Sequence, residues 1–410
     1  MDDRVLTSIQ LYAVMLAILL VFAVFVFFNG ITFHLVMLLF PAFFLYMFIV
    51  GVFFGGDWDG IVKVIVFTLV VMMASYVANA LTALEFLKTL VIGLFMLLIA
   101  NIIASSFFPD IGLEVGKFSG DWKGVFDQKN ALGRLSSLLI ASSTLLIICS
   151  KERAVQLYSF LILIAAIMVA VNAGSRTGLA TGVLVGLMTV FFCLVYCVLK
   201  DDFVHRKSFL IVLFLEILIG FYLITSNMSV VDLYTNEDGI SVFGNFFSLT
   251  GRLTIWDFVL EHAHGIHFWF GYGLDNFWTS ERFSLIGPME GMGDFYPEDS
   301  HNGYMDVLVQ GGVVGVALYA LIFVFLIKAL LSSKFSFEEY VIAFTFIMLF
   351  LVSNLTESYT TKSTNIVNFL FVYSVAFLFL RSTFLHKKGV VSVKPFAYIK
   401  NLYLEGRDSK

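Results

Sequence analysis

Apolar runs long enough to cross a lipid bilayer recur through almost the whole chain. A hydrocarbon core about 30 Å thick needs about 20 apolar residues per helix. Runs that meet this measure lie near 8–28, 31–54, 60–80, 84–107, 129–149, 154–172, 178–199, 208–226, 304–331, 338–353 and 366–384. In lipid every backbone N–H and C=O must find a partner within the chain, so such runs fold as helices that pack on one another. The expected fold is an all-α polytopic membrane protein of eleven spans, within a range of ten to twelve. Pro41 falls inside the second run, where a kink or break is expected.

Composition narrows the function classes. Of 410 residues 60% are hydrophobic and only 13% charged, against about 25% charged in soluble domains. The 47 phenylalanines sit largely in the long runs, without the alternation of strands. A net charge of −5 offers no footprint for nucleic acid. Cys149, Cys193 and Cys197 lie in or at the ends of apolar runs, without metal-ligand spacing, and read as small buried apolar residues. Asp2-Asp3-Arg4 precedes a full-length span and no small-residue cleavage site stands out, so no cleaved signal is expected.

The connections set orientation. Lys151 and Arg153 flank one, Lys200, Arg206 and Lys207 the next on that side, and Lys328 and Lys334 follow. The tail carries Lys387, Lys388, Lys394, Lys400, Arg407 and Lys410. Cytoplasmic connections are the ones enriched in Lys and Arg. The connections at 55–59, 108–128 and 227–303 then face outward. Eleven spans put the N-terminus outside, and a twelfth would put it inside. The expected organisation is N-terminal spans over 1–226, a long polar outer loop over 227–303, C-terminal spans over 304–385 and a basic cytoplasmic tail over 386–410. The tail reads as an orientation signal beside anionic lipid.

The outer loop is where chemistry is expected. Leu253 to Ala263 reads as one amphipathic helix. Trp256, Phe268, Trp269, Phe270, Phe277 and Trp278 suit the membrane interface, so the loop is expected to lie on the bilayer. Arg252 opens the amphipathic piece, where a cation is unhelpful to the helix itself. It reads either as an exposed loop arginine or, with the helix N-terminus, as an anion site. His301 follows Glu298 and Asp299 at the mouth of the ninth span, as an interfacial hydrogen-bonding group or as a general base.

Outside this loop, Arg176 sits in Asn172-Ala173-Gly174-Ser175-Arg176-Thr177-Gly178, a small-residue turn between spans. A snorkelling or ion-paired arginine is one reading. Its place on the outer face, where the charge rule disfavours cations, points to function. Glu357 occupies a short outer turn, to orient a histidine, bind sugar hydroxyls, or serve as a cap or ion-pair partner. Arg134, one turn into the fifth span, pairs with Asp127 or lines a cavity. Glu216, mid-span, is a candidate functional carboxylate or a protonated hydrogen-bonding one. His262, His264 and His267 match neither a helical pair nor a finger pattern, which argues against a metal site. No Walker loop, dinucleotide fingerprint, nucleophile elbow or HExxH motif is present, and no cytoplasmic domain is large enough for a nucleotide. The expected substrate is already activated and lies on the outer side.

Several of these segments resemble the O-antigen ligase and polymerase superfamily. They are Gly174-Ser175-Arg176-Thr177-Gly178, Gly251-Arg252 with Ile255-Trp256, Gly271-Tyr272-Gly273 with Asn276-Phe277, and Ser300-His301-Asn302-Gly303-Tyr304. Phe126 to Gly133, with Gln128-Lys129-Asn130-Ala131-Leu132-Gly133 inside it, is similar to a stretch of the exopolysaccharide and O-antigen polymerases in this group. The resemblance runs from about residue 120 onward. It implies a bundle of the GT-C type with one large periplasmic loop, in a bacterial inner membrane, with the active site facing the periplasm. It further implies a metal-independent glycosyltransferase without a cofactor, whose donor is an undecaprenyl-pyrophosphate-linked oligosaccharide. Membrane lipids and a chain-length regulator protein are the implied partners. Arg176 and Arg252, with Arg134, become pyrophosphate ligands. His301, with Glu357, becomes catalytic. The Gln-Lys-Asn-Ala-Leu-Gly stretch favours an O-antigen polymerase. The alternatives are an O-antigen ligase acting on lipid A-core and a transporter of lipid-linked sugars, which would carry repeat symmetry and midplane charges.

Overall fold

The computed structural model describes residues 21, 24, 31–56, 58, 60–199, 239–242, 245–248, 252–286, 297–332, 335–362, 364–381 and 390–393. All but two residues of the expected span at 8–28 lie outside these residues. So do the span at 208–226 with Glu216, and most of the basic tail.

The described apolar runs are helices. They are α1 Leu39–Phe53, α2 Gly60–Ala80, α3 Ala83–Phe107, α4 Lys129–Cys149, α5 Arg153–Asn172, α6 Arg176–Leu199, then three short helices of the polar stretch, α7 Arg252–His262, α8 Ile266–Phe270 and α9 Ser280–Ile286, and last α10 Gly303–Ser332, α11 Phe337–Ser353 and α12 Ile366–Arg381. Among the described residues seven helices are long and apolar enough to cross a membrane, and α12 is a shorter apolar one. The architecture is that of an all-α multi-pass membrane protein.

Local chemistry sets the helix starts. Thr82 with Glu85, and Ser336 with Glu339, form reciprocal capping boxes that satisfy the first N–H groups of α3 and α11. A 3₁₀ turn, Leu35–Leu38, leads into α1. Pro41 therefore falls in the first turn of α1, where its missing N–H removes no helical bond, and the expected kink there is replaced by a continuous helix. Ile31–His34, expected as the head of this span, is instead strand β1. It pairs antiparallel with β4, Val390–Val393, from the tail. The pairing brings the tail to the end of the bundle at which α1 starts. A second pair, β2 Gly239–Val242 with β3 Asn245–Ser248, adds a hairpin to the polar stretch, where only short helices were expected.

α4 is the most enclosed of the long helices, with α3, α5, α6 and α11 around it. α12 is buried along nearly its whole length against α2, α10 and α11. Its Phe371 ring stacks on Phe350 at 4.2 Å and on Phe323 at 5.5 Å. Cys149 and Cys193 are buried. One end of the bundle gathers Thr82, Ser150–Glu152 and Ser336–Glu339. The opposite end gathers the turn before α6 and the turn after α11.

α10 is broken where an apolar run was expected to continue. Gly312 has φ 60° and ψ −167°, which leaves nearby carbonyls without helical donors. The segment after α8 supplies them. Tyr272 N–H donates to Val309 O at 2.9 Å and Gly273 N–H to Gln310 O at 2.9 Å. Tyr46 of α1 donates its hydroxyl to Gly311 O at 2.9 Å and to Phe270 O at 3.1 Å. Leu274 N–H reaches Met47 O at 3.0 Å. From Tyr46 to the end of α1 at Phe53 is about 10 Å of helix at ~1.5 Å per residue. Part of the polar stretch thus threads inward between α1 and α10, where it was expected to lie on the surface. Gly273 makes this possible: its φ is 92°, and a Cβ there would fall 2.1 Å from Gly51 Cα. A non-helical backbone at this depth is tolerated because it is buried in protein and hydrogen-bonded.

Candidate active site

α4 and α6 meet backbone to backbone at their first turns. A Cβ on Gly178 would lie 2.5 Å from Gly133 O, and one on Gly133 would lie 1.9 Å from Ser175 Oγ. The two N-termini therefore sit side by side, with Arg176 as the first residue of α6. Unpaired N–H groups and the helix dipole give such ends positive potential. The connection before α4 is tied down around them. Glu114 accepts Lys129 N–H at 2.6 Å, and Lys129 Nζ reaches Asp121 Oδ2 at 2.6 Å.

A small, partly open polar cleft, with an enclosed volume of only about 20 Å³, lies at this junction. Asn130, Arg134 and Ser137 line it from α4, and Ser175, Thr177 and Thr181 from α6 and the turn before it. Ser353, Thr356, Glu357 and Tyr359 close it from the end of α11 and the turn that follows. The Glu357 carboxylate lies between two arginines. Arg134 Nη1 is 3.5 Å from Oε2, and Arg252 Nη2, from the start of α7, is 3.6 Å from Oε1. Each guanidinium carries five N–H donors, so most remain for another acceptor. Burial next to Glu357 raises the pKa of Tyr359 well above the usual phenol range, so its hydroxyl stays protonated.

His301 stands on the same turn system. Its φ is +47°, a left-handed conformation rare for a side chain with a Cβ. Hydrogen bonds on both sides hold it there. Buried Asp306 accepts Ser300 N–H at 3.0 Å and Ser300 Oγ–H at 2.6 Å. Asn302 N–H donates to Ser358 Oγ, and Gly303 N–H to Asn354 O and Glu357 O. Asn302 Oδ1 caps α10 by accepting Tyr304 and Met305 N–H. Trp256 Nε1–H of α7 donates to Ser300 O at 2.9 Å. Asp299 Oδ1 accepts His301 N–H at 2.8 Å and faces the ring Nδ1 at 3.5 Å. Burial would raise the Asp299 pKa, but Lys362 and His301 outweigh it and hold the carboxyl below its ordinary value.

The structure thus brings Arg134, Arg252 and Glu357 into one cluster and builds His301 into the adjoining turn. Arg176 lies in the chain between Ser175 and Thr177, which both line the cleft. Glu357 touches the two arginines, while Asp299 is the carboxylate beside the His301 ring. Arg134 contacts Glu357; the candidate pairing with Asp127 is not among its contacts. Sequence reasoning passed over three polar residues. Asp306 anchors the Ser300 turn, Lys362 pairs with Asp299, and Asn354 accepts Tyr359 N–H, Thr360 N–H and Thr360 Oγ1–H. A carboxylate and an amide at the edges of apolar runs were the available signals.

The histidines of the polar stretch serve its packing. His262 Nδ1 pairs with Phe258 O at 2.8 Å and His267 Nδ1 with Gly271 O at 2.9 Å. The His267 ring stacks on the Tyr272 ring at 3.8 Å, and Arg282 lies 4.3 Å from the centre of the Tyr272 ring. Among the described residues no three His, Cys, Asp or Glu side chains gather as a metal-ligand group.

A family model described as O-Antigen ligase matches residues 160–320. The matched residues contain Arg176, Arg252 and His301, whereas Arg134 and Glu357 lie outside them. A search of curated proteins returned no match.

Proposed function

We propose, for a chain whose residues 160–320 place it in the O-antigen ligase and polymerase superfamily, that it is a polymerase of O-antigen or a related surface polysaccharide. Members of this family are glycosyltransferase-like membrane enzymes. In the proposed reaction a glycan moves from undecaprenyl pyrophosphate to a lipid-linked repeat unit at the periplasmic face of the inner membrane. The observation that carries the reading is the convergence of Arg134 and Arg252 on Glu357, in a cleft at the paired N-termini of α4 and α6.

The chemistry follows from this arrangement. The acceptor hydroxyl oxygen forms a bond to the anomeric carbon. The bond from that carbon to the pyrophosphate oxygen breaks, and its electron pair leaves with the pyrophosphate. The hydroxyl proton passes to His301. Negative charge grows on the leaving group, and prepositioned guanidinium and N–H donors stabilise it. Glu357 holds two like-charged guanidiniums close together before the donor arrives. The pyrophosphate then takes over their charge balance. Arginine suits the role because its planar fork matches phosphate oxygens, which a lysine ammonium does not. Positive charge comes from side chains in this scheme, so activity is expected to survive EDTA.

Gln128 to Gly133, which resembles the polymerases, forms the start of α4 beside the cleft and contributes Asn130 to it. The matching family is described as O-Antigen ligase, and that description supports the second reading, transfer to lipid A-core. The lipopolysaccharide of a deletion strain separates the two. A single repeat unit on the core supports polymerase. Bare core with accumulated lipid-linked polymer overturns it in favour of ligase.

A further inference from the structure

His301 is held by a carboxylate that is itself held by a lysine. Asp299 is buried, with only 9% of its surface exposed. A buried carboxylate is costly unless charge and hydrogen bonds compensate it. Its two oxygens are divided between two tasks. Oδ1 accepts the His301 backbone N–H at 2.8 Å and faces ring Nδ1 at 3.5 Å, while Oδ2 takes Lys362 Nζ at 2.5 Å. Lys362 comes from a different segment, the turn after α11, and its backbone is fixed there. Its N–H donates to Tyr359 O at 3.1 Å, and its carbonyl accepts Asn368 Nδ2–H at 3.2 Å. The carboxylate is thereby pinned at both ends, and it cannot turn without breaking the ion pair to Lys362. At 3.5 Å the approach of Oδ1 to ring Nδ1 is a charge contact and not a hydrogen bond, and a carboxylate fixed on that side favours the ring orientation with Nε2 turned away. The left-handed backbone of His301 places that ring on the turn joined to Glu357 and Ser358.

We infer that Lys362 is a positioning residue, which acts through Asp299 to hold the His301 imidazole with Nε2 towards the acceptor hydroxyl. The inference rests on His301 as the proton acceptor, so its test carries a readout that needs no turnover. In proteoliposomes with the full chain and a lipid-linked repeat unit, Lys362→Met is expected to lower kcat roughly tenfold to a hundredfold, part of the ~10²–10⁴ that a positioned base contributes. The donor KM should stay within about twofold, because Lys362 does not touch the pyrophosphate cluster. Lys362→Arg should recover most of the rate. On substrate-free protein, modification of His301 by diethylpyrocarbonate, read by peptide mass spectrometry, should slow by roughly threefold or more in Lys362→Met, since a released carboxylate draws the ring into an ion pair. Lys362→Ala, which also removes the donor to Asp299, serves where Lys362→Met does not insert.

A fall in kcat with unchanged ring reactivity overturns the inference and leaves Lys362 as a tether between loops. Unchanged kcat with unchanged reactivity overturns it as well. Altered reactivity with unchanged kcat upholds Lys362 as the residue that orients the ring, and instead removes His301 from the reaction.

Discussion

Arg252→Ala is the sharpest test of the arginine cluster. Arg252 Nη2 lies 3.6 Å from Glu357 Oε1, with the Arg252 side chain 19% exposed and that of Glu357 16% exposed. The substitution has two consequences. It removes one preorganised cationic donor from the position where charge develops, a loss on the order of 3 kcal/mol or roughly a hundredfold in rate. It also leaves Glu357 with Arg134 as its one remaining arginine partner, so a carboxylate that had been balanced now repels the incoming pyrophosphate. Both act in the same direction, and kcat/KM should fall at least a hundredfold. Arg252→Lys returns the charge without the fork and should recover only part of the loss. Glu357→Gln alone should slow the enzyme by about tenfold, because the arginines lose their common partner, yet in the Arg252→Ala background the same change removes a repulsion. The double-mutant cycle should therefore depart from additivity by roughly 1–2 kcal/mol. The assay is polymer formation in proteoliposomes from a fluorescent lipid-linked repeat unit, with thermal unfolding in detergent as the control for insertion and folding. A folded Arg252→Ala protein with kcat/KM within about threefold of the parent refutes the pyrophosphate role of Arg252. Strict additivity refutes the alignment role of Glu357.

His301→Ala should cost roughly 10²–10⁴ in kcat. His301→Gly should be equally inactive but more stable than His301→Ala by about 1 kcal/mol, because glycine takes a φ of +47° without strain; equal melting temperatures would count against strain at this position. Gly178→Val drives a side chain into Gly133 O and should destabilise by about 2 kcal/mol or more, with loss of activity, and an unchanged Tm would contradict the close α4–α6 contact. Asp299 has its folded-state pKa below the unfolded value, so its ion pair stabilises the protein above the unfolded pKa and the benefit fades as pH falls through the folded one. The Tm difference between the parent and Lys362→Met should accordingly hold steady above about pH 5 and shrink below about pH 4; a difference that grows on acidification would reverse the assigned sign.

Most of the described spans could be read from the sequence because a span is a local property. Twenty apolar residues form a helix in lipid whatever surrounds them, and the ends of α2 to α6 lie close to where hydropathy puts them. Two of the departures depend on distant partners. Ile31–His34 is apolar enough to continue a span, yet Val390–Val393 offers it strand pairing from the other end of the chain. Gly312 looks like any small residue in an apolar run, and the break there is stable only because Tyr46, Tyr272 and Gly273 satisfy the freed carbonyls. No window of sequence around Gly312 contains those donors.

The site divides in the same way. Cations at the polar edges of apolar runs stand out one at a time, so Arg134, Arg176 and Arg252 were each visible. What joined them was not. Glu357 lies far along the chain from Arg134 and Arg252, and the packing of α11 against α6 and α4 brings its turn over the N-termini of these two helices. The polar stretch alone cannot make this site. It contributes Arg252 at the head of α7 and His301 at the entry to α10, and Trp256 ties the two together through Ser300 O. The opposing wall comes from α4, α6 and the turn after α11. A reaction that must hold a charged pyrophosphate and release a proton from an acceptor needs both walls at once. Closing that gap falls to the Glu357 and Lys362 turn, which contacts the arginine cluster through Glu357 and the His301 loop through Lys362.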